Sequence, residues 1–187
     1  MQFYARFQDE VIADPAAIAV HVARAREQLS PGFATVFDER LVQAHERLVA
    51  SPADATAKVA FVTTYHLVIE ATLGLTAFRF ITRYLERERL LPGFLDGYGR
   101  IHHDEQRHIG YGVWYLREAV SRDPALADEV RGTLAALLPA VAESLTPRDR
   151  DGTDWDALGA SAQEIREFAL GGLTRRLKIT ASSSADA

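Results

Sequence analysis

A chain of 187 residues with 48% apolar content is long enough for one domain with a real core, and excludes a disordered chain. Its net charge of −5 leaves no basic footprint for nucleic acid. With no cysteine, disulfides, thiolate zinc sites and iron–sulfur clusters are excluded, and the reducing cytoplasm is the compartment expected.

Helix signals dominate and strand alternation is almost absent, so the expected fold class is all-α. A first helix runs over residues 1–13, and its start, MQFYARFQDEV, lacks the basic and apolar regions of a signal peptide. Asp14 then reads as an N-cap with Pro15 at the first helical position. This second helix carries Ile18, Val22 and Ala25 on one stripe and ends near Ser30-Pro31-Gly32. A third spans about 33–49. Ser51-Pro52 opens a long fourth helix, and Leu91-Pro92-Gly93 breaks the chain after it. The fifth helix covers about 94–120. The sixth starts at Asp123-Pro124 and ends near Leu145. A polar loop over 146–153 precedes a last helix over about 154–178. The expectation is a single helical-bundle domain over 1–179 and a small polar, disordered tail over 180–187. No uninterrupted apolar stretch is expected to span a bilayer.

Two segments depart from amphipathic patterning. Residues 59–81 are apolar on nearly all sides, the pattern of a helix in the middle of a bundle. Set into them are His66 and Glu70, an i, i+4 pair. A buried carboxylate is costly unless it is paired or holds a metal. Pairing with Arg79, Arg83 or a buried histidine is the plain structural alternative. In the fifth helix, Tyr98, Ile101, Glu105, His108 and Gly112 form one stripe, so Glu105 and His108 share a face as a Glu-x-x-His turn. One Glu from one helix and a Glu-x-x-His from the next make half of a dimetal carboxylate site. No second Glu-x-x-His exists in the chain. His21 and His45 do not replace it, and Glu10, Glu27 and Glu39 read as solvated helix faces. A plain hairpin broken at Pro92 leaves Glu70 and Glu105 roughly 12 Å out of register at ~1.5 Å rise per residue. The charged stretch 82–90 is therefore expected to turn off the bundle axis.

The runs YHLVIEATLGLTAFRF, LLPGF and DEQRHIGYGVWYLRE resemble the ribonucleotide reductase small-subunit superfamily, a ferritin-like fold, and most nearly its ligand-binding oxidases. The resemblance implies a dinuclear iron or manganese/iron cofactor with Glu70, Glu105 and His108 as ligands of one metal. It implies Asp104 as an outer acid that orients the histidine of the other half of the site, and a lipid-like or other apolar ligand in the bundle; His66, one turn before Glu70, is placed beside the ligands as well. It also implies an oxidoreductase that is a homodimer in its complete form. Tyr65 stands where those oxidases carry a tyrosine joined by an ether cross-link to a valine. Five residues of regular α-helix would leave Tyr65 about 140° from Glu70, so that role needs a local distortion. The start of the chain resembles the run just after the family's first Glu-x-x-His. Three of six ligands are then expected to be missing, through a start placed at an internal Met. Such a chain is expected to expose apolar surface on the fourth and fifth helices and to be inactive alone. Two other readings stand beside the oxidase. One is a reductase small subunit, against which the tail ITASSSADA lacks an aromatic for radical transfer. The other is a non-catalytic helical interaction module.

Overall fold

The computed structural model describes residues 2–11, 14–146, 155 and 158–181. The described residues are helical and carry no strand. Helix α1 spans Gln2–Val11 and α2 spans Pro15–Gln28, with Pro15 at its first position as the sequence indicated. Helix α3 covers residues 31–50 without a break. Ser30 caps it by accepting from the Phe33 N–H at 3.2 Å, and a π-helical stretch, Thr35–Arg40, interrupts its α turns. Helix α4 is Ala55–Arg87. Its cap is Asp54, whose carboxylate accepts from the Thr56 N–H at 2.8 Å, and not Ser51-Pro52. Residues 51–54 form a turn ahead of it, closed by the Asp54 N–H on the Ser51 carbonyl. Helices α5, Pro92–Arg122, and α6, Leu126–Ser144, follow.

The last helix, α7, is Ala162–Ala181, which moves both of its expected ends. It starts later because Gly159 takes a left-handed φ of +64° and turns the chain, and Ser161 then accepts from the Glu164 N–H. It ends later because Thr180 is buried inside the helix, so the expected tail begins too early. Most of the expected loop, 147–153, and the tail residues 182–187 lie outside the described residues.

Helix α4 is the axis of the bundle. Its central turns contact α5, α6 and α7, and its first turns pack on α3 and α6. Leu67, Val68, Leu116, Leu137, Val141, Ile165 and Leu173 meet around it in one continuous core. Among the described residues α4 is the one helix long and apolar enough by length and composition to cross a membrane, although His66 and Glu70 interrupt its apolar run. Yet 72% of its most apolar window is buried inside the protein, which accounts for its apolar character. Helix α1 lies against the start of α5, with Phe3 and Phe7 on Phe94. The stripe expected on α2 is not a core face. Val22 is 61% exposed and Ala25 is exposed as well, because α2 has little to pack on.

The α4–α5 connection also corrects an expectation. Residues 82–87 do not leave the bundle axis; they remain in α4, where Arg83 bonds Glu164 and the Gly159 carbonyl. The chain reverses at residues 88–91 through a C-cap in which Arg89 is left-handed at φ 56°. The Arg89 N–H bonds the Glu86 carbonyl and the Leu90 N–H bonds the Leu85 carbonyl, the Schellman pattern. Leu91, also left-handed, then leads into α5 with Pro92 at its first position. The hairpin centre is therefore Arg89, not Pro92. Phe78 stacks on His102, and Glu70 faces His108, each pair placed symmetrically about that turn. A plain antiparallel hairpin is enough to bring the ligand residues level.

Candidate metal centre

The middle of α4, Thr63–Gly74, is π-helical. A π-helix is closed by bonds five residues back, as from the Leu75 N–H to the Glu70 carbonyl, and the Thr72 hydroxyl follows suit by donating to the Leu67 carbonyl at 2.7 Å. Residues five apart are thereby brought toward one side. This is the distortion that Tyr65 requires to reach Glu70. The two are in electrostatic contact: burial first, then the Glu70 charge, push the Tyr65 phenol above its ordinary value. Such π segments concentrate at functional sites because they re-aim side chains without ending the helix.

Glu70 is 6% exposed in the centre of the bundle. Its Oε1 faces the His108 Nδ1 at 3.8 Å, and the same nitrogen lies 3.6 Å from the Glu105 Oε2. One donor atom from each of Glu70, Glu105 and His108 lies within 4.8 Å of the others. These separations are too long for hydrogen bonds. The two distances to the His108 Nδ1 suit donors around a shared cation, since two atoms each about 2.0–2.2 Å from one ion lie at most about 4.4 Å apart. Electrostatics points the same way. Burial, and next the charge of Glu70, raise the pKa of Glu105 above the usual carboxylate range. Two carboxylates on a low-dielectric face repel, and a cation between them removes that cost. Two carboxylates and an imidazole are a donor set that iron and manganese accept, so the residues fit the expected metal.

The remaining sequence-derived residues fall in two groups. His66 belongs to the centre: its Nδ1 lies 2.5 Å from the Glu70 Oε2. Of the alternatives for pairing Glu70, the histidine applies, and Arg83 is engaged by Glu164 instead. Asp104 stands apart from the cluster, exposed and bonded to Arg107 on its own helix. Glu10, Glu27 and Glu39 are exposed, as solvated faces should be. Two contributors were not recognised from the sequence. Gly112 packs directly on His66, where any Cβ would overlap the His66 Cβ and ring. Tyr111 sets its ring edge-on to that of His66. The position of Gly112 four residues after His108, on the ligand stripe, was the available signal.

The metal-ligand face is open on one side. His108 is 54% exposed, and Tyr111 and Trp114 beyond it are about as exposed. The expected exposure of apolar surface therefore holds for α5 but not for the central part of α4, which is largely buried by the other helices.

No family model matches the chain. Solved structures do. An R2-like ligand-binding oxidase, as a valine-to-isoleucine variant with a Mn/Fe cofactor, superposes with a TM-score of 0.77 at 20% identity over 95% of this chain. A glycine-to-phenylalanine variant gives 0.77 at 21% identity. The fold is that of the R2-like ligand-binding oxidases. It is the ferritin-like bundle of the ribonucleotide reductase small-subunit type, as the sequence motifs implied. A third match, a glycine-to-leucine variant with an Fe/Fe cofactor, has a TM-score of 0.72 at 22% identity over 80% of this chain and 54% of its own. The first two are covered over 62% and 64% of their length, so this chain spans under two thirds of the oxidases it matches.

Proposed function

We propose that this chain carries half of a dimetal carboxylate centre of an oxygen-activating, ligand-binding oxidase. The observation that supports it is the convergence of Glu70, Glu105 and His108 inside the fold of proteins that hold Mn/Fe or Fe/Fe cofactors. Iron, or manganese with iron, is the proposed metal, and when bound it would supply the redox chemistry toward oxygen.

The chain's own residues have distinct tasks in this reading. Glu105 and His108, one turn apart on α5, present an oxygen and a nitrogen to one point. Glu70 adds a second carboxylate from the bundle interior. Ala71, Leu75 and Ile109 pack together beside it and keep water from that side. Tyr65 stays protonated next to Glu70. A lipid-like or other apolar molecule is the proposed ligand. A cavity of about 590 Å³ walled by Leu29, Phe33, Leu73, Phe80 and Leu145 has the size and character for one. We propose the cytoplasm as its compartment and a homodimer as its assembly.

Metal analysis after anaerobic incubation with iron(II) and manganese(II) tests the reading. Metal is expected in the wild type and lost from Glu105→Ala and His108→Ala. Equal metal in all three overturns the assignment. A covalent adduct on Tyr65, read by mass spectrometry after exposure to oxygen, marks the oxidase type. One observation favours a second reading, a helical interaction module: the exposed run of His108, Tyr111 and Trp114 on α5. A wild type that takes no metal decides for that module.

A further inference from the structure

We propose that His66 is a positioning residue that sets which oxygen of Glu70 faces the metal-binding point. The proposal rests on the metal-centre reading above and concerns a residue outside its ligand set.

The two oxygens of Glu70 have different neighbours. Oε2 is taken by the His66 Nδ1 at 2.5 Å, whereas Oε1 looks toward the His108 Nδ1 at 3.8 Å. An ionised carboxylate only accepts hydrogen bonds, so the ring nitrogen in this pair donates. The ring nitrogen facing Glu70 therefore carries a proton. With Oε2 held, Glu70 presents Oε1 alone to Glu105 and His108.

The ring itself is held on three sides. The Tyr65 ring stands edge-on to it at 5.1 Å between centroids, and the Tyr111 ring does so at 5.8 Å. On the third side Gly112 leaves room for His66 and for nothing larger than its own hydrogen. His66 is nearly buried, with a side chain 14% exposed, so water is a poor substitute for its hydrogen bond. Glu70 is the most buried member of the pair, and a free Oε2 there would turn toward any donor or cation available. A group that orients a ligand in this way typically changes metal affinity about 10–100-fold when removed.

Nitrogen-15 NMR of the metal-free protein reads the hydrogen bond. The expected spectrum has the His66 proton on Nδ1 in slow exchange with water, and fast exchange in Glu70→Ala. A ring protonated on Nε2 alone, or an unchanged spectrum in Glu70→Ala, overturns the proposal. Manganese(II) titration followed by EPR reads the consequence. His66→Leu is expected to weaken binding about 10-fold or more. His66→Asn, whose side-chain N–H stands near the place of Nδ1, is expected to recover most of it. Equal affinity in His66→Leu and wild type overturns the positioning role, as does a loss that His66→Asn does not recover. A wild type that takes no manganese refutes the metal centre and the positioning role with it, while the NMR result still decides the hydrogen bond.

Discussion

Gly112 on α5 lies flush against the Cβ and ring of His66 on α4, and this contact sets how closely the two ligand-bearing helices approach. A methyl group there has no space, and the neighbour it meets is the root of a side chain rather than a flexible tip. Gly112→Ala is therefore expected to destabilise the protein by about 1–3 kcal/mol. It is also expected to weaken manganese binding by moving His66 off Glu70. Urea denaturation and the EPR titration check the two effects. A variant as stable as wild type would show that the helices part without cost.

The ligand residues separate cleanly from their charged neighbours. Glu105→Ala and His108→Ala should each remove most bound metal. Glu86→Ala, an exposed change near the end of α4, should leave metal content unchanged. Elemental analysis of the three variants side by side is the measurement.

Asp54 predicts a pH dependence. Hydrogen bonds from the Thr56 side chain and then its backbone N–H hold the Asp54 pKa below its ordinary value of 3.8. A depressed pKa means a contribution that is full above 3.8 and lost as pH falls through the folded-state value. Asp54→Ala is expected to lower the melting temperature by about 2–4 °C at neutral pH. The difference from wild type should shrink on acidification below 3.8. A gap that widens in acid would contradict the cap.

Arg89 predicts a change of the opposite sign. It occupies the left-handed C-cap position that glycine prefers, at φ 56°. Arg89→Gly should raise stability by about 1 kcal/mol, since a side chain in that conformation costs roughly 1–2 kcal/mol. Equilibrium unfolding decides, and a destabilised variant would show that the Arg89 side chain matters more than its backbone.

Leu116 and Val49 calibrate the core. Leu116 is fully buried among α4 and its neighbours, and Leu116→Ala should cost about 2–5 kcal/mol. Val49 is 64% exposed, and Val49→Ala should fall within about 0.5 kcal/mol of wild type.

Much of the site was legible because its signals are local. Glu105 and His108 share a face by α-helical spacing alone, and Glu70 stood out as a carboxylate in an apolar run. Pro15 and Asp123 marked helix starts through backbone chemistry that each residue carries with it. The turn at Arg89 was missed for the same kind of reason. Its left-handed conformation is held by hydrogen bonds to Glu86 and Leu85, and no glycine advertises it. With the turn misplaced, the register of α4 on α5 was misjudged too.

By itself the sequence determined an all-α bundle, the residue types of a metal site and the helices that carry them, because helical periodicity and caps are properties of short segments. Only the tertiary structure decided how those pieces meet. The π-helical stretch around Glu70 has no local code; packing on three helices stabilises it, and it alone brings Tyr65 toward the carboxylate. Of the partners open to Glu70, His66 holds it from one turn away, while Arg83 reaches the other way, to Glu164 on a helix some eighty residues on in the chain. The role of Gly112 depended on the distance between two helix axes. Each is a contact between segments far apart in sequence, set by the shape that the whole core fills.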